Sequence, residues 1–255
     1  MNTTNPRHIA IVMDGNNRWA AKRGFASLEG HKAGVGALKD VVKACVARDI
    51  DVLTVFAFSS ENWNRPPQEV EALMGLFFDS LEKELDELRD NGVQLRFIGD
   101  LNGFSPALRH KMMAARESTS ANSCLVLNVA VNYGGRWEVI HAAQKLMRLS
   151  REGALAAEDL SEDVFHKMTC LGELPPVDLF IRTGDEVRVS NFLLWHLAYA
   201  EMVFSPVMWP DFSENELVRA LESFKGRQRR FGKTGQQILA QMEGVDPQAV
   251  EHDPA

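Results

Sequence analysis

The chain has 255 residues, 45% hydrophobic and 25% charged, a composition that supports one large folded domain and excludes a low-complexity or disordered protein. Its formal charge of −7 gives no net attraction to phosphate backbones, so bulk nucleic-acid binding is disfavoured and any anion site must be local. Cys45, Cys124 and Cys170 form no C-x-x-C pair and read as free thiols of a cytoplasmic protein. No apolar run approaches bilayer length and no basic-then-apolar leader opens the chain, so neither a membrane span nor a signal peptide is expected.

Taken in chain order, apolar β-rich runs alternate with segments of helical period. A first strand is expected at His8–Met13, and Ala33–Arg48 then places Val35, Leu38, Val41, Val42 and Cys45 on one helical side. A strand over Val52–Phe58 precedes a long helix, Pro67–Asp90, whose apolar stripe runs from Val70 through Leu73, Met74, Phe77, Leu81 and Leu85 to Leu88. Strands follow at Val93–Ile98, Leu125–Val131 and Val177–Ile181, with a sixth around Met202–Val207. Ser105-Pro106 signals a helix start, and Ser213-x-x-Glu216 has the form of a capping box for the last helix. Strands separated by helices, several of them continuously apolar, predict an α/β fold: a mostly parallel six-stranded sheet flanked by helices. The loosest interior stretch, Gly153–Ser161, is too slight for a boundary, so a single domain is expected over 1–243 with a tail at 244–255.

Ligands of open parallel sheets bind beyond the carboxyl ends of the strands. Gly99-Asp100 reads as an ordinary polar turn, but two other ends carry more than a turn needs. Asp14-Gly15-Asn16-Asn17-Arg18 joins a helix start, a flexible glycine and an arginine into an anion cradle, with a carboxylate free to hold a divalent cation. Arg182, Arg188 and Ser190 are a second set of donors suited to a diphosphate. Gly232-Lys233-Thr234 fails as a P-loop, because Gly226 lies one residue too far upstream. Gly34-Val35-Gly36 lacks the third glycine of a dinucleotide fingerprint, and no G-x-S-x-G hydrolase elbow occurs. His31 follows Gly30 at a helix start and could touch a phosphate, while His141 and His196 read as helix residues.

The blocks HIAIVMDGNNRWA, GHKAG, FAFSSENWNRP, LRFIGD, LNVAVNYGGRW, IRTGDEVRVSNFLLW, LAYAE and WPDF, between about Arg7 and Gly232, resemble the cis-prenyltransferases, the family of the bacterial undecaprenyl diphosphate synthases. The resemblance implies sequential condensation of isopentenyl diphosphate onto an allylic diphosphate such as farnesyl diphosphate. It implies that Asp14 works with Mg²⁺, with Glu201 as a second metal-linked carboxylate. Gly15, Asn16, Asn17, Arg18, Trp19, Ser27 and His31 would surround the allylic diphosphate, and Arg182, Arg188, Val189 and Ser190 the isopentenyl diphosphate. Ser59, Ser60, Glu61, Asn62, Trp63 and Arg65 would form a mobile loop over the reactants. Asn62 is the family's candidate proton acceptor, but a neutral amide is a poor base and suits orienting a water or the diphosphate. The Val70–Leu88 stripe would wall a tunnel left open by Ala57, Val93, Leu95 and Leu125. The resemblance also implies a homodimer and a product delivered to the membrane; the basic stretch Arg227–Arg230 reads either as lying near that interface or a partner's active site, or as a solvated helix end. The sequence departs from the family at three positions. Ser27 stands where bacterial members usually have arginine, Asn17 where glycine is common, and Asp185 where glycine is usual. Ser27 and Asp185 predict a less cationic site. A non-catalytic partner subunit would typically have lost the Asp-Gly-Asn turn, which is intact here. A phosphatase-like hydrolase using Asp14 would need a second aspartate two residues on, and that position is Asn16.

Overall fold

The computed structural model describes residues 5–226. Six strands, β1 (His8–Val12), β2 (Val52–Ser59), β3 (Val93–Ile98), β4 (Leu125–Tyr133), β5 (Leu179–Arg182) and β6 (Glu201–Phe204), form one sheet in the order β3-β4-β2-β1-β5-β6. Every pairing is parallel. The helices are α1 (Asn16–Lys22), α2 (Ser27–Val46), α3 (Pro67–Asp90), α4 (Pro106–Ser118), α5 (Gly135–Arg151), α6 (Glu162–Met168) and α7 (Glu214–Lys225). The basic stretch Arg227–Arg230 and the tail expected at 244–255 lie outside the described residues.

Strand alternation divides the core in two. Ile9 and Ile11 pack with Val41, Val42, Leu81, Leu217 and Phe224, which belong to α2, α3 and α7. Ala10 and Val12 pack on the opposite face with Tyr133, Phe180 and Phe192. Both faces of β1 are therefore covered, which is why all five of its residues are buried and why it reads as an unbroken apolar run. The chain winds from β1 toward β2, β4 and β3, then returns to place β5 and β6 on the other side of β1. The carboxyl ends of β1 and β5 thus flank the point where the winding reverses, the usual crevice of such sheets.

The predicted elements are all present, with informative differences. α2 starts at Ser27, six residues before the expected start, because the apolar period begins only after the Gly30-His31 turn of the helix. β5 starts two residues late, at Leu179. The capping box at Ser213 does not form: the Ser213 side chain makes no cap hydrogen bond, and Glu216 pairs instead with Arg219. Ser105 does cap α4, its hydroxyl accepting from the Leu108 amide at 3.3 Å. His196 is not helical. It sits buried in the turns before β6 and meets Glu138. Denaturant unfolding checks the caps: Ser105→Ala is expected to cost about 1 kcal/mol, and Ser213→Ala only a few tenths, roughly 0.3 kcal/mol.

Candidate active site

The site is organised by one contact at the reversal point. Asp14 follows β1 and Arg182 ends β5, and Arg182 Nη2 donates to Asp14 Oδ2 at 2.8 Å. Arg182 is 3% exposed, and its other terminal nitrogen donates to Ser190 Oγ at 2.6 Å and to the Arg188 carbonyl at 2.7 Å. Arg188 Nε donates to the same Ser190 hydroxyl at 3.2 Å, so the three residues of the expected second cluster are joined. The turn after β1 is pinned from both sides. Thr183 Oγ1 receives the Asp14 amide at 2.9 Å and donates to the Asp14 carbonyl at 2.7 Å. The Trp209 amide donates to that same carbonyl at 2.9 Å.

Two glycines permit this closeness. Gly15 has φ +108°, and a Cβ there would stand 2.9 Å from Met208 Cβ. Gly184 has φ +83°, and its Cβ would stand 2.8 Å from Arg18 Nη2. Either side chain would strain the turn and push the two clusters apart. Arg18 reaches Asp14 Oδ1 at 3.4 Å and Glu186 at 3.6 Å, and Arg188 also pairs with Glu186. Three arginines thus surround two carboxylates at the rim.

Asn17 is the hub of the α1–α2 side. Its Oδ1 accepts from Ser27 Oγ at 2.6 Å and lies 2.8 Å from His31 Nε2, while its amide nitrogen donates to Glu69 Oε1 at 3.3 Å. Arg65 holds the same Glu69 oxygen at 2.9 Å. Glu69 was not anticipated, although its i,i+4 spacing from Arg65 at a helix start is readable in the sequence. Two departures from the family pattern, Asn17 and Ser27, therefore contact each other. Burial, helped by the nearby Arg65 charge, pushes His31 down to about 4 despite the opposing Glu69. The third departure, Asp185, is exposed and has φ +62°, a conformation suited to glycine. It does not line the cavity.

The segment expected as a mobile loop is a short 3-10 helix, Ser60–Asn64. Asn62 Oδ1 accepts from the Ser59 amide at 2.9 Å, and Trp63 Nε1 donates to Asn132 at 2.8 Å. The Trp63 ring packs between Phe58 and Phe104, and Glu61 accepts from Asn191 Nδ2 at 2.7 Å. Burial alone would favour neutral Glu61, but the Asn191 amide and nearby Ser60 and Ser59 hydroxyls hold it below the usual carboxylate range. Asn191, also unanticipated, ties this turn to the start of α5 by accepting from the Arg136 amide at 2.9 Å. Below it, buried Glu138 accepts from Tyr133 at 2.6 Å, from the Cys170 amide at 2.9 Å, and lies 3.2 Å from His196 Nε2. Burial opposes its charge, yet the His196 and Tyr133 contacts leave Glu138 below the usual carboxylate range.

Beneath these groups opens a cavity of about 540 Å³. Asp14, Gly15, Asn16, Asn17, Arg18, His31, Ser59, Asn62, Arg65, Arg182, Arg188 and Ser190 line its polar mouth. Asn16 Oδ1 and Arg182 Nε are buried there without a hydrogen-bond partner among the described residues. The body is apolar, walled by Leu73, Met74, Phe77, Leu81, Leu85 and Leu88 of α3, as the stripe predicted, and by Leu38 and Val42 of α2. A register shift between Phe56 and Phe58 turns Ala57 into it. Leu95 also lines the cavity. Val93 lines a neighbouring space, and Leu125 belongs to the closed core.

Several expected site residues stand outside this wall. Trp19 turns away, donating to Asp211 at 2.7 Å with Arg23 stacked over its ring. Ser27, Ser60, Glu61, Trp63 and Val189 do not line the cavity. Glu201 is not brought to Asp14. It begins β6 level with Leu179 and Ile9, whereas Asp14 lies two residues past Val12. That separation is about 16 Å along the strands at about 3.3 Å per residue, so the two carboxylates of one chain cannot share an ion. Among the described residues no group of three His, Cys, Asp or Glu could hold a metal. A single carboxylate still fits Mg²⁺, which is commonly held by one or two carboxylates and substrate phosphates.

The depressed His31 has a measurable consequence. Because the unfolded chain takes up this proton first, stability contributed by neutral His31 is present above about pH 6.5 and is lost as pH falls toward 4. NMR titration should place the His31 ring near pH 4, and His31→Asn should flatten the stability–pH slope in that window.

The sequence matches the family described as "Putative undecaprenyl diphosphate synthase" over residues 12–232. It is 52% identical over 235 residues to a farnesyl-diphosphate-specific ditrans,polycis-undecaprenyl-diphosphate synthase of Pseudomonas syringae pv. tomato, covering 92% of this chain and 94% of the relative. The corresponding Legionella pneumophila protein is 49% identical over 236 residues, covering 92% of this chain and 99% of the relative. Lavandulyl diphosphate synthase of Lavandula x intermedia, solved with dimethylallyl diphosphate, superposes with a TM-score of 0.87 at 35% identity, over 90% of this chain and 99% of that one. A probable undecaprenyl diphosphate synthase of Campylobacter jejuni gives 0.76 at 33% identity, over 91% and 100%. With the strand-end clusters, the apolar cavity and these likenesses together, the chain belongs to the undecaprenyl diphosphate synthase family of cis-prenyltransferases.

Proposed function

We propose that the protein condenses isopentenyl diphosphate repeatedly onto farnesyl diphosphate to give a long polyprenyl diphosphate, undecaprenyl diphosphate for a cell-wall lipid carrier. The observation that carries this reading is the joining of an arginine-rich mouth, fit for two diphosphates, to one deep apolar cavity, fit for a hydrocarbon tail. The farnesyl-specific relatives at about half identity support the choice of primer.

The chemistry follows from where charge develops. Breaking the allylic C–O bond leaves an allylic cation and places extra negative charge on the departing diphosphate. Arg18 and the amides at the start of α1 face that group, so they stabilise the transition state more than the bound substrate. Mg²⁺ held by Asp14 and the diphosphate oxygens would supply further neutralisation of that charge. Arg182, Arg188 and Ser190 hold the isopentenyl diphosphate with its alkene toward the cation. The alkene carbon forms the new C–C bond, and loss of one proton creates the new cis double bond. The departing diphosphate accepts that proton. Asn62 is not the base, because its carbonyl oxygen already accepts from the Ser59 amide, and it serves by orienting a reactant through its NH₂.

We read the catalytic unit as a single domain over 1–243, acting from the cytoplasmic side and passing its product to the membrane. No helix among the described residues is long and apolar enough to cross one. A homodimer is supported by apolar side chains left exposed on α5 and before β6, Ile140 at 60% and Val187 at 75%. Light scattering should give twice the chain mass, and a monomer would refute the dimer.

The activity is checked by incubating the protein with Mg²⁺, farnesyl diphosphate and radiolabelled isopentenyl diphosphate. Butanol-extractable long-chain product is expected, chelation should abolish it, and Asp14→Ala should lower kcat by about 10²-fold or more. Ser27→Arg should lower KM, since it adds a cation beside Asn17. Asp185→Gly should lower KM by removing an anion near the diphosphates and raise stability by relieving the left-handed strain.

A further inference from the structure

The segment from Arg188 to His196 carries two groups that meet the second diphosphate, Arg188 and Ser190, on a strained backbone. Among the described residues six non-glycines have a left-handed φ, and three of them, Ser190 (+48°), Asn191 (+61°) and Leu193 (+46°), fall in this stretch. Each is held by its own bond. Arg182 donates to Ser190 Oγ at 2.6 Å. The Asn191 carbonyl accepts from the Gly135 amide at 2.6 Å, and its side chain accepts from the Arg136 amide at 2.9 Å. The Leu193 amide donates to the Tyr133 hydroxyl, which in turn donates to Glu138 Oε2 at 2.6 Å. Between these anchors Phe192 is fully buried and stacks on Phe56 with ring centroids 4.4 Å apart.

The last anchor requires Glu138 to remain an anion in a buried place. Besides Tyr133 it accepts from the Cys170 amide at 2.9 Å, and His196 Nε2 lies 3.2 Å from one of its oxygens and 3.3 Å from the other. An ionised carboxylate only accepts, so Nε2 carries a proton toward it. Both side chains are sealed from water, so solvent cannot replace that donor if it is lost. A carboxyl that then takes up a proton or turns away releases Tyr133, and with it the Leu193 amide. Neither His196, Glu138 nor Tyr133 lines the cavity, so their effect on a substrate has to pass through the backbone of 190–193. The Asn17, Ser27, His31 and Glu69 contacts on the allylic side share no residue with this cluster, so the effect is confined to one substrate.

Resting on the activity proposed above, we infer that His196 is a positioning residue for the isopentenyl diphosphate site, acting through Glu138 and Tyr133 on the strained backbone that presents Arg188 and Ser190. The amide of glutamine reaches where Nε2 stands and that of asparagine stops short of Glu138, so two substitutions of like polarity separate this contact from general packing. His196→Asn should raise KM for isopentenyl diphosphate about tenfold with KM for farnesyl diphosphate within about twofold, and His196→Gln should restore the wild-type value. Tyr133→Phe keeps the ring, removes the hydroxyl link and should show the same one-sided rise, which tests the relay whether or not His196→Asn folds. An unchanged KM for isopentenyl diphosphate in Tyr133→Phe, equal values in His196→Asn and His196→Gln, or a parallel rise for both substrates overturns the inference. Calorimetric titration with isopentenyl diphosphate and Mg²⁺, without primer, reads the site apart from the reaction. Weaker binding by His196→Asn than by His196→Gln is expected there, and equal binding overturns the positioning role. Wild-type protein that binds isopentenyl diphosphate, with this difference between the variants, yet elongates nothing would retain the positioning role and refute the activity.

Discussion

The Asp14–Arg182 pair joins residues 168 apart in sequence, and most of the site's geometry can be traced to it. The two strands are neighbours because the winding of the sheet reverses at β1, so a carboxylate and a guanidinium leave adjacent strand ends side by side. Arg182 is nearly sealed from water, and a sealed guanidinium must be matched by acceptors or it would destabilise the fold. Asp14, Ser190 and the Arg188 carbonyl provide those acceptors. In doing so they fix the chain that carries Arg188 and keep the carboxylate aimed at the crevice. Removing Asp14 would leave the buried Arg182 charge with one acceptor fewer, whereas Asp14 itself is partly open to solvent.

The polar mouth is held from the side opposite the helices of the cavity. Glu138 gathers Tyr133, Cys170 and His196, and Asn191 links the start of α5 to Glu61. These contacts fasten the segment 188–196, in which Ser190, Asn191 and Leu193 all adopt left-handed backbone conformations. Strained backbone of this kind persists only where surrounding bonds over-determine it. The result is a rigid polar rim above a cavity whose other wall, the α2–α3 seam, is joined by side chains and surface ion pairs.

The departures from the family pattern acquire different meanings in three dimensions. Asn17 and Ser27 are one hydrogen-bonded feature, and with His31 and Glu69 they connect the diphosphate turn to the first turn of α3. Asp185 is exposed and adopts a left-handed backbone conformation. The reading of Ser27 and Asp185 as a less cationic site came from residue types, which report neither distance nor solvent exposure.

Periodicity alone determined the α/β class, both ends of β1, β2, α3, β3, β4 and β5 to within two residues, and the α3 stripe that became the cavity wall, because burial on one face leaves a local 2.0 or 3.6 repeat. Strand-end composition likewise marked Asp14–Arg18 and Arg182–Ser190, since anion-binding turns need glycine and arginine in short reach. What only the tertiary structure decided was non-local. Glu201, read as a partner of Asp14, lies at the other end of the sheet, because strand register is set by pairing and not by sequence. Trp19, an apparent neighbour of the site, faces Asp211, and His196, an apparent helix residue, is buried against Glu138. The turn at Asp14 was legible as an anion cradle. That Arg182 would complete it, and that an apolar cavity would lie beneath it, depended on which strand came to rest beside β1.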